Sequence, residues 1–289
     1  MGGNINGPSL IRVPAWVDRP LGRYYLYFAD HKGSYIRLAF AETVEGPWRV
    51  HGPGCLDVAR SRFCAVRPQV PGPPPDWARD GQDWLYPHVA SPDVHVEEDE
   101  RRIRMYVHGL LANGDQMTRV ALSRDGVAFE VLPELLGPPY FRAFRHGGWW
   151  HAIAYPNRVL RSADGLTAFE TGPAPLEPET RHTAVLVAGD TLHVFWTRLG
   201  DRPERILHGT IDLAADWRDW RLCGADEVLR PELAWEGADL PIRPSRPGAA
   251  AAPENALRDP FVFNDGGAGY LFYCGGGESA IGLAALDPA

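Results

Sequence analysis

Two carboxylates near the C-terminal end have the residue type and placement for proton chemistry on a bound ligand. Asp259 stands in Leu257-Arg258-Asp259-Pro260-Phe261-Val262-Phe263, and Glu278 follows three glycines in Gly275-Gly276-Gly277-Glu278-Ser279. A pair of carboxyl groups can divide the roles of acid and base when their surroundings push their proton affinities apart. The elements around them read as a small antiparallel sheet. An apolar run after a proline leads to the hairpin signal Asn264-Asp265-Gly266-Gly267, then to aromatic Tyr270-Leu271-Phe272-Tyr273, then to Ala280-Ile281-Gly282-Leu283-Ala284. Both acids fall just outside the strands, one at a strand entry and one in the second turn.

The same order recurs four more times. Gly7-Pro8-Ser9-Leu10-Ile11 precedes Tyr24-Tyr25-Leu26-Tyr27-Phe28, and Ser91-Pro92-Asp93-Val94 precedes Ile103-Arg104-Met105-Tyr106. Pro139-Tyr140-Phe141-Arg142 precedes Trp149-Trp150-His151, and His182-Thr183-Ala184-Val185 precedes Leu192-His193-Val194-Phe195-Trp196, with Trp217 and Trp220 closing that unit. A unit of three or four strands cannot bury both of its own faces, so repetition predicts an all-β fold, a five-bladed β-propeller of antiparallel three- to four-stranded blades around a central funnel. A β-sandwich would not repeat the order of proline, strand and aromatic strand. The expected blades span about 5–52, 88–133, 137–173, 180–223 and 257–287 of a single 1–289 domain. The irregular stretches 53–87 and 230–256 enter inner strands and are expected to cover the axis.

In such a blade the start of the inner strand and the turn between the second and third strands share one face. That face collects Asn6, Pro87-His88, Asp93, Tyr140, Arg142, Arg181-His182, Arg258 and Asp259 from strand entries, and Asp30-His31-Lys32, His108, Asn157, Asp201, Glu204 and Glu278 from turns. Acids, histidines and arginines converging from several blades suit a polar ligand in the funnel. Taken singly, each has a plain structural role: an Asp beside a proline caps a strand entry, and a buried histidine fills space and bonds to backbone. The histidine spacing matches no zinc motif, so no metal set is assigned. Turns on the opposite face, such as Arg124-Asp125-Gly126 and Ala163-Asp164-Gly165, read as hairpin formers only.

Composition narrows the partners. A formal charge of −8 lacks the clustered basic residues that a nucleic-acid backbone requires. Ten Trp, ten Tyr and eleven Phe favour broad β-surfaces over helices. The N-terminal Met1-Gly2-Gly3-Asn4-Ile5-Asn6 carries no basic and apolar leader pattern, and no apolar run is long enough for a membrane helix. A cytoplasmic chain, a monomer or weak homo-oligomer with a small-molecule partner and neither membrane nor nucleic acid, is therefore expected. Cys55, Cys64, Cys223 and Cys274 have no metal-type spacing and are expected as thiols, with a Cys55–Cys64 pair conceivable only after export.

The strand entries Gly7-Pro8-Ser9, Ser91-Pro92-Asp93 and Arg258-Asp259-Pro260, with Tyr24-Tyr25-Leu26-Tyr27 and Glu45-Gly46-Pro47-Trp48, resemble the arabinanase, levansucrase and invertase superfamily, the five-bladed propellers of glycoside hydrolase families 43, 32 and 68 and their uncharacterised cytoplasmic relatives. The resemblance spans essentially the whole chain. It implies a glycoside hydrolase-like enzyme acting on a small glycoside or sugar-containing metabolite, with one carboxylate as base or nucleophile, a carboxylic acid for the leaving oxygen and a third Asp that tunes the acid. On this pattern Asp259 is the base or oxocarbenium stabiliser, Glu278 or Glu236 the acid, and Asp93 the tuning residue. His31, His88, Arg142, His182 and Arg258, with Asn6, Asp30, His108, Tyr140 and Asn157, would hold the substrate. A structural calcium or sodium ion in the central channel near His182 is implied by resemblance alone; no other cofactor is expected.

Departures from the pattern keep other readings open. The first-blade Asp is replaced by Gly7, no blade opens with the acid's Glu-Gly-Pro, and the nearest match, Glu236-Gly237-Ala238, lies before the fifth blade. The alternatives are a propeller repurposed for non-hydrolytic acid–base chemistry in a biosynthetic pathway (elimination, isomerisation or cyclisation) and a non-catalytic carbohydrate-binding protein.

Overall fold

Aromatic and β-branched runs separated by Gly, Pro, Asn and Asp turns fold into nineteen strands among the described residues. The computed structural model describes residues 3–78 and 83–286; Met1 and Gly2, residues 79–82 of the expected 53–87 linker and the expected end of the last blade at 287 lie outside the described residues. Five antiparallel sheets result, four of four strands and one of three. Blade 1 comprises β1 (Asn6–Arg12), β2 (Tyr24–Ala29), β3 (Tyr35–Ala41) and β4 (Arg49–Asp57), and blade 2 comprises β5 (Val89–Glu97), β6 (Arg102–Leu110), β7 (Gln116–Ser123) and β8 (Glu130–Val131). Blade 3 follows with β9 (Arg142–His146), β10 (Trp149–Ala154), β11 (Arg158–Ser162) and β12 (Glu170–Thr171), and blade 4 with β13 (Thr180–Ala188), β14 (Thr191–Arg198), β15 (Ile206–Asp212) and β16 (Cys223–Leu229). Blade 5 has β17 (Arg258–Asp265), β18 (Ala268–Gly275) and β19 (Ala280–Leu286). The architecture is the expected five-bladed β-propeller.

Two boundaries differ from expectation. β4 runs on to Asp57, past the expected blade end at residue 52, and the fourth strand of blade 4 is β16 rather than the segment of Trp217 and Trp220. That segment forms a 3-10 turn started by Asp216, whose Oδ1 accepts from Arg218 N at 2.9 Å. Its two indoles are buried, Trp220 on the Phe144 and His151 rings of blade 3 and Trp217 on His151.

Each gap between neighbouring blades holds one apolar core. Tyr25, Tyr27 and Met105 fill the first, Tyr106, Phe141 and Trp150 the second, and Ile153, Val194 and Trp196 the third. Phe195, Ile206 and Tyr273 fill the fourth, and Leu10, Leu26, Phe28 and Phe272 close the ring between blades 5 and 1. No blade could bury these faces alone, so the ring is the folding unit.

A single irregularity repeats on the inner strands. Pairing slips between Asn6 and Ser9, Ala90 and Asp93, Thr180 and Thr183, and Arg258 and Phe261. These are β-bulges, which suit prolines because a bulge needs no ladder N–H, and Pro8, Pro92 and Pro260 occupy them. The bulge residue is left-handed in Gly7 (φ 59°), Ser91 (φ 50°) and Asp259 (φ 48°), and Tyr140 (φ 64°) takes the same conformation just before β9. Asp259 and Gly7 are thus structural counterparts. A Cβ at Gly7 would stand 3.1 Å from Ser91 Cα, a tight approach between blades 1 and 2.

Candidate active site

The bulge is also what aims side chains at the axis, since it breaks the in–out alternation of the strand. Gly7, Ser91, Tyr140, Arg181 and Asp259 occupy the corresponding place in the five blades, and the last three carry ionisable or aromatic groups. Asp259 is 1% exposed and held in left-handed backbone, a conformation retained at functional sites when the surroundings enforce it. Its Oδ1 lies 3.4 Å from His182 Nε2, while its Oδ2 has no protein partner. Burial, then the nearby Glu278 charge, raise its carboxyl from the ordinary 3.8 to about 6 against the pull of Arg181, Arg142 and His31.

Glu278 behaves in the opposite way. Burial disfavours its charge, but His31, Arg258 and Arg181 outweigh burial and hold the carboxyl well below the usual range. Its Oε1 lies 3.5 Å from His31 Nδ1, 3.4 Å from Arg258 Nη1 and 3.7 Å from Arg181 Nη2, and its Oε2 accepts from the Asn4 amide. A carboxylate so held is not a proton donor, so the expected role of Glu278 as acid is corrected: its fixed charge tunes Asp259. Behind it Glu204, fully buried, accepts from Arg258 Nε at 2.8 Å and Arg181 Nη1 at 3.3 Å. Arg181 also donates to the carbonyls of Arg246 and Gly248, and Arg258 Nη2 to Glu254 Oε2 at 2.6 Å, so the 246–254 segment is tied down to this network.

A cavity of about 560 Å³ opens above it, with His31, Tyr86, Tyr140, Tyr155, Arg181 and His182 among its lining. His88 and His108 form the wall behind: Tyr86 and His88 ring centroids are 4.7 Å apart, His88 and His108 5.4 Å, His108 and Tyr140 4.4 Å, and Tyr140 and His182 5.4 Å. Burial lowers His88 to about 4 and takes His108 and His182 well below the ordinary histidine value, which leaves all three neutral near pH 7.

The remaining expected residues take other places. Asp93 Oδ2 accepts from His95 Nε2 at 2.9 Å and from Ala143 N at 2.7 Å, and despite burial its carboxyl stays below the ordinary value because of His95, Arg142 and that N–H. Its register counterpart Ser9 accepts from Val94 N in the same way, and the next counterpart, Arg142, donates to Thr183 O at 3.0 Å. Asp93 and Arg142 are therefore ties between neighbouring blades, which corrects both assignments. Glu236 spends Oε2 on the N–H groups of Glu232 and Leu233 and Oε1 on the Tyr273 hydroxyl at 2.6 Å, and is corrected from candidate acid to anchor of its own turn. Asn157 is likewise corrected: its amide holds Leu176 through both the N–H and the carbonyl. Asp30 accepts from Lys32 N and Arg37 Nη2 and lines a smaller recess with Asn4 and Glu278. Asn6 is buried with Oδ1 unpartnered, and Arg258 sits beneath the cavity in the ion-pair network.

Sequence reasoning placed Arg181 and Glu204 on the funnel face without giving them a role in the site, and left out Tyr86 and Tyr155. Aligning Thr180-Arg181-His182-Thr183 on Arg258-Asp259-Pro260-Phe261 places Arg181 opposite Asp259, whereas Tyr86 and Tyr155 come from a linker and a turn that have no counterpart in the repeat. All four cysteines are free thiols, and no helix among the described residues is long and apolar enough to cross a membrane. An ion near His182 finds no fit: among the described residues no three His, Cys, Asp or Glu side chains form a metal cluster, and the Arg181 cation beside His182 opposes the oxygen-rich shell that calcium or sodium takes.

The fold is a five-bladed β-propeller, and solved glycoside hydrolases share it. A thermostable family-43 glycoside hydrolase superposes with a TM-score of 0.63 at 12% identity, covering 98% of this chain and 90% of that one. The GH43_1 enzyme from Xanthomonas citri complexed with xylotriose gives 0.62 at 14% identity (99% and 88%), and the α-L-arabinanase of Cellvibrio cellulosa complexed with arabinohexaose gives 0.57 at 12% (98% and 92%). In sequence, the chain is 33% identical over 309 residues to the uncharacterized protein R118 of Acanthamoeba polyphaga mimivirus, covering 98% of this chain and 83% of that protein, and it belongs to the same family. No family model matches the chain.

Proposed function

We propose that this protein is a cytoplasmic glycosidase-like enzyme that binds a small sugar-containing metabolite in the funnel and moves protons with Asp259, partnered by His182. One observation carries the reading: a buried carboxyl with one unpartnered oxygen, raised to about 6, beneath the funnel of a propeller whose structural relatives are glycoside hydrolases. In its acid form Asp259 gives its proton to the glycosidic oxygen as the bond to the anomeric carbon breaks. Water adds to that carbon and returns a proton to the Asp259 carboxylate, so the products are a free sugar and an alcohol. Arg181, Tyr140 and His31 orient the sugar, and Glu278 keeps the Asp259 proton affinity high.

A second reading, a proton shift within one molecule without water, is favoured by a different observation. Both Glu278 oxygens are engaged, whereas the His182–Asp259 pair is assembled. Product mass separates the two, because hydrolysis adds one water. Against a panel of small glycosides, Asp259→Asn is expected to lose at least about 100-fold in turnover while keeping ligand affinity. The wild-type rate is expected to fall as pH rises through about 6, where the acid form is lost. Full turnover in Asp259→Asn, or ligand binding with no turnover in the wild type, rejects the enzyme reading.

A further inference from the structure

Above its polar floor the funnel changes chemistry. Pro73, Pro75, Pro138, Pro156 and Pro247 line it, and a proline has no N–H with which to hold a sugar hydroxyl. Trp84 stands among them. Its ring is seated against Gly114, where a Cβ would come within 2.6 Å of Trp84 Cζ3; Gly114, at φ 91°, leaves that space free. The Tyr155 ring, with its centroid 5.9 Å from that of Tyr140, continues the apolar wall down to the floor.

Three of the polar side chains at this level bond within the protein. Asn113 Nδ2 donates to Asp115 Oδ2 at 2.7 Å and Asn113 Oδ1 accepts from Asp115 N at 3.1 Å, while Gln116 bonds to His88. A second sugar ring in the mouth would give up hydrogen bonds to water and find few replacements, at a cost for each unpaired hydroxyl. A flat apolar ring would lose nothing and would meet the faces of Trp84 and the prolines. At about 560 Å³ the cavity suits one compact ligand.

We propose that the mouth of the funnel, built on Trp84 and the surrounding prolines, takes a planar aromatic group joined to the sugar, so that the substrate class is an aryl glycoside and not an oligosaccharide. The inference rests on the sugar reading above for the floor and on the proline and indole surface for the mouth. Calorimetric titration compares 4-nitrophenyl with methyl glycosides of xylose, arabinose and galactose, and 4-nitrophenol alone. At least one 4-nitrophenyl glycoside is expected to bind at least 10-fold more tightly than its methyl counterpart. Trp84→Ala should reduce that advantage by about 3- to 10-fold, the effect of one aromatic contact. Trp84→Leu, which keeps apolar bulk but removes the flat face, should do the same. Equal binding of the two series, or an advantage that survives both Trp84 variants, overturns the aromatic mouth and leaves the sugar floor standing. Binding of 4-nitrophenol that depends on Trp84, with no glycoside bound, supports the aromatic mouth and rejects the sugar reading. No binding of any probe overturns both.

Discussion

A carboxyl group that must ionise inside the funnel costs the fold stability, and Asp259 bears that cost. Its value of about 6 in the folded chain exceeds the ordinary 3.8, so the folded state holds the proton more tightly than the unfolded state. Stability therefore declines as pH rises from about 4 to about 6, and above that window the penalty, of order 3 kcal/mol, is fully present. Asp259→Asn is expected to be more stable than the wild type at pH 8, by up to about 3 kcal/mol in urea melts, and to show little gain at pH 4. A loss of stability at pH 8 would mean that the carboxylate is satisfied where it sits. Glu278 has the opposite sign: its lowered carboxyl adds stability above the ordinary carboxylate range and loses it as pH falls toward its folded value. The sequence made both acids legible as strand-entry and turn residues, but not which would keep its proton. That depends on Asn4, His31 and Arg181, which come from other parts of the chain and meet Glu278 only when the ring closes, and on Arg258 across its own blade.

At the scale of elements, the bulge at the start of four of the five inner strands, with left-handed Tyr140 just before β9, separates site from scaffold. Its left-handed residue turns to the axis, as Tyr140 and Asp259 do, and the residue two positions later turns between blades, as Ser9, Asp93 and Arg142 do. Ser91-Pro92-Asp93 and Arg258-Asp259-Pro260 look alike in sequence, yet their aspartates are offset by two places and point to different surroundings. Proline supplied the bulge signal; the register that tells the two apart is visible only in the pairing. Glu236 teaches the same lesson for connecting segments, where a buried acid near the last blade secures a turn. Glu236→Ala is expected to cost about 1–3 kcal/mol in stability, through the lost N–H and Tyr273 bonds, with ligand affinity and turnover unchanged. Loss of turnover in a variant of full stability would restore Glu236 as a candidate acid.

The whole molecule binds these parts into one ring. Blade number was readable from the repeat because every blade needs a neighbour on each face, so apolar strands recur at blade spacing. The ends of β4 and β16 were not, since their exposed, glycine- and charge-containing edges carry little hydrophobic pattern. Closure joins the N-terminal segment to the last blade: Ile5 N donates to Glu278 O at 2.7 Å and the Asn4 side chain to the Glu278 carboxylate, while Leu10 and Phe28 meet Phe272 in the closing core. The contact that seals the propeller thus fixes the charge that raises Asp259. The most direct test of this account needs no substrate. Carbon-13 NMR titration of aspartate-labelled protein, read as the difference between wild type and Asp259→Asn, is predicted to show one carboxyl with a midpoint near 6. A resonance assigned to Asp259 that titrates at the ordinary aspartate value would contradict the central claim.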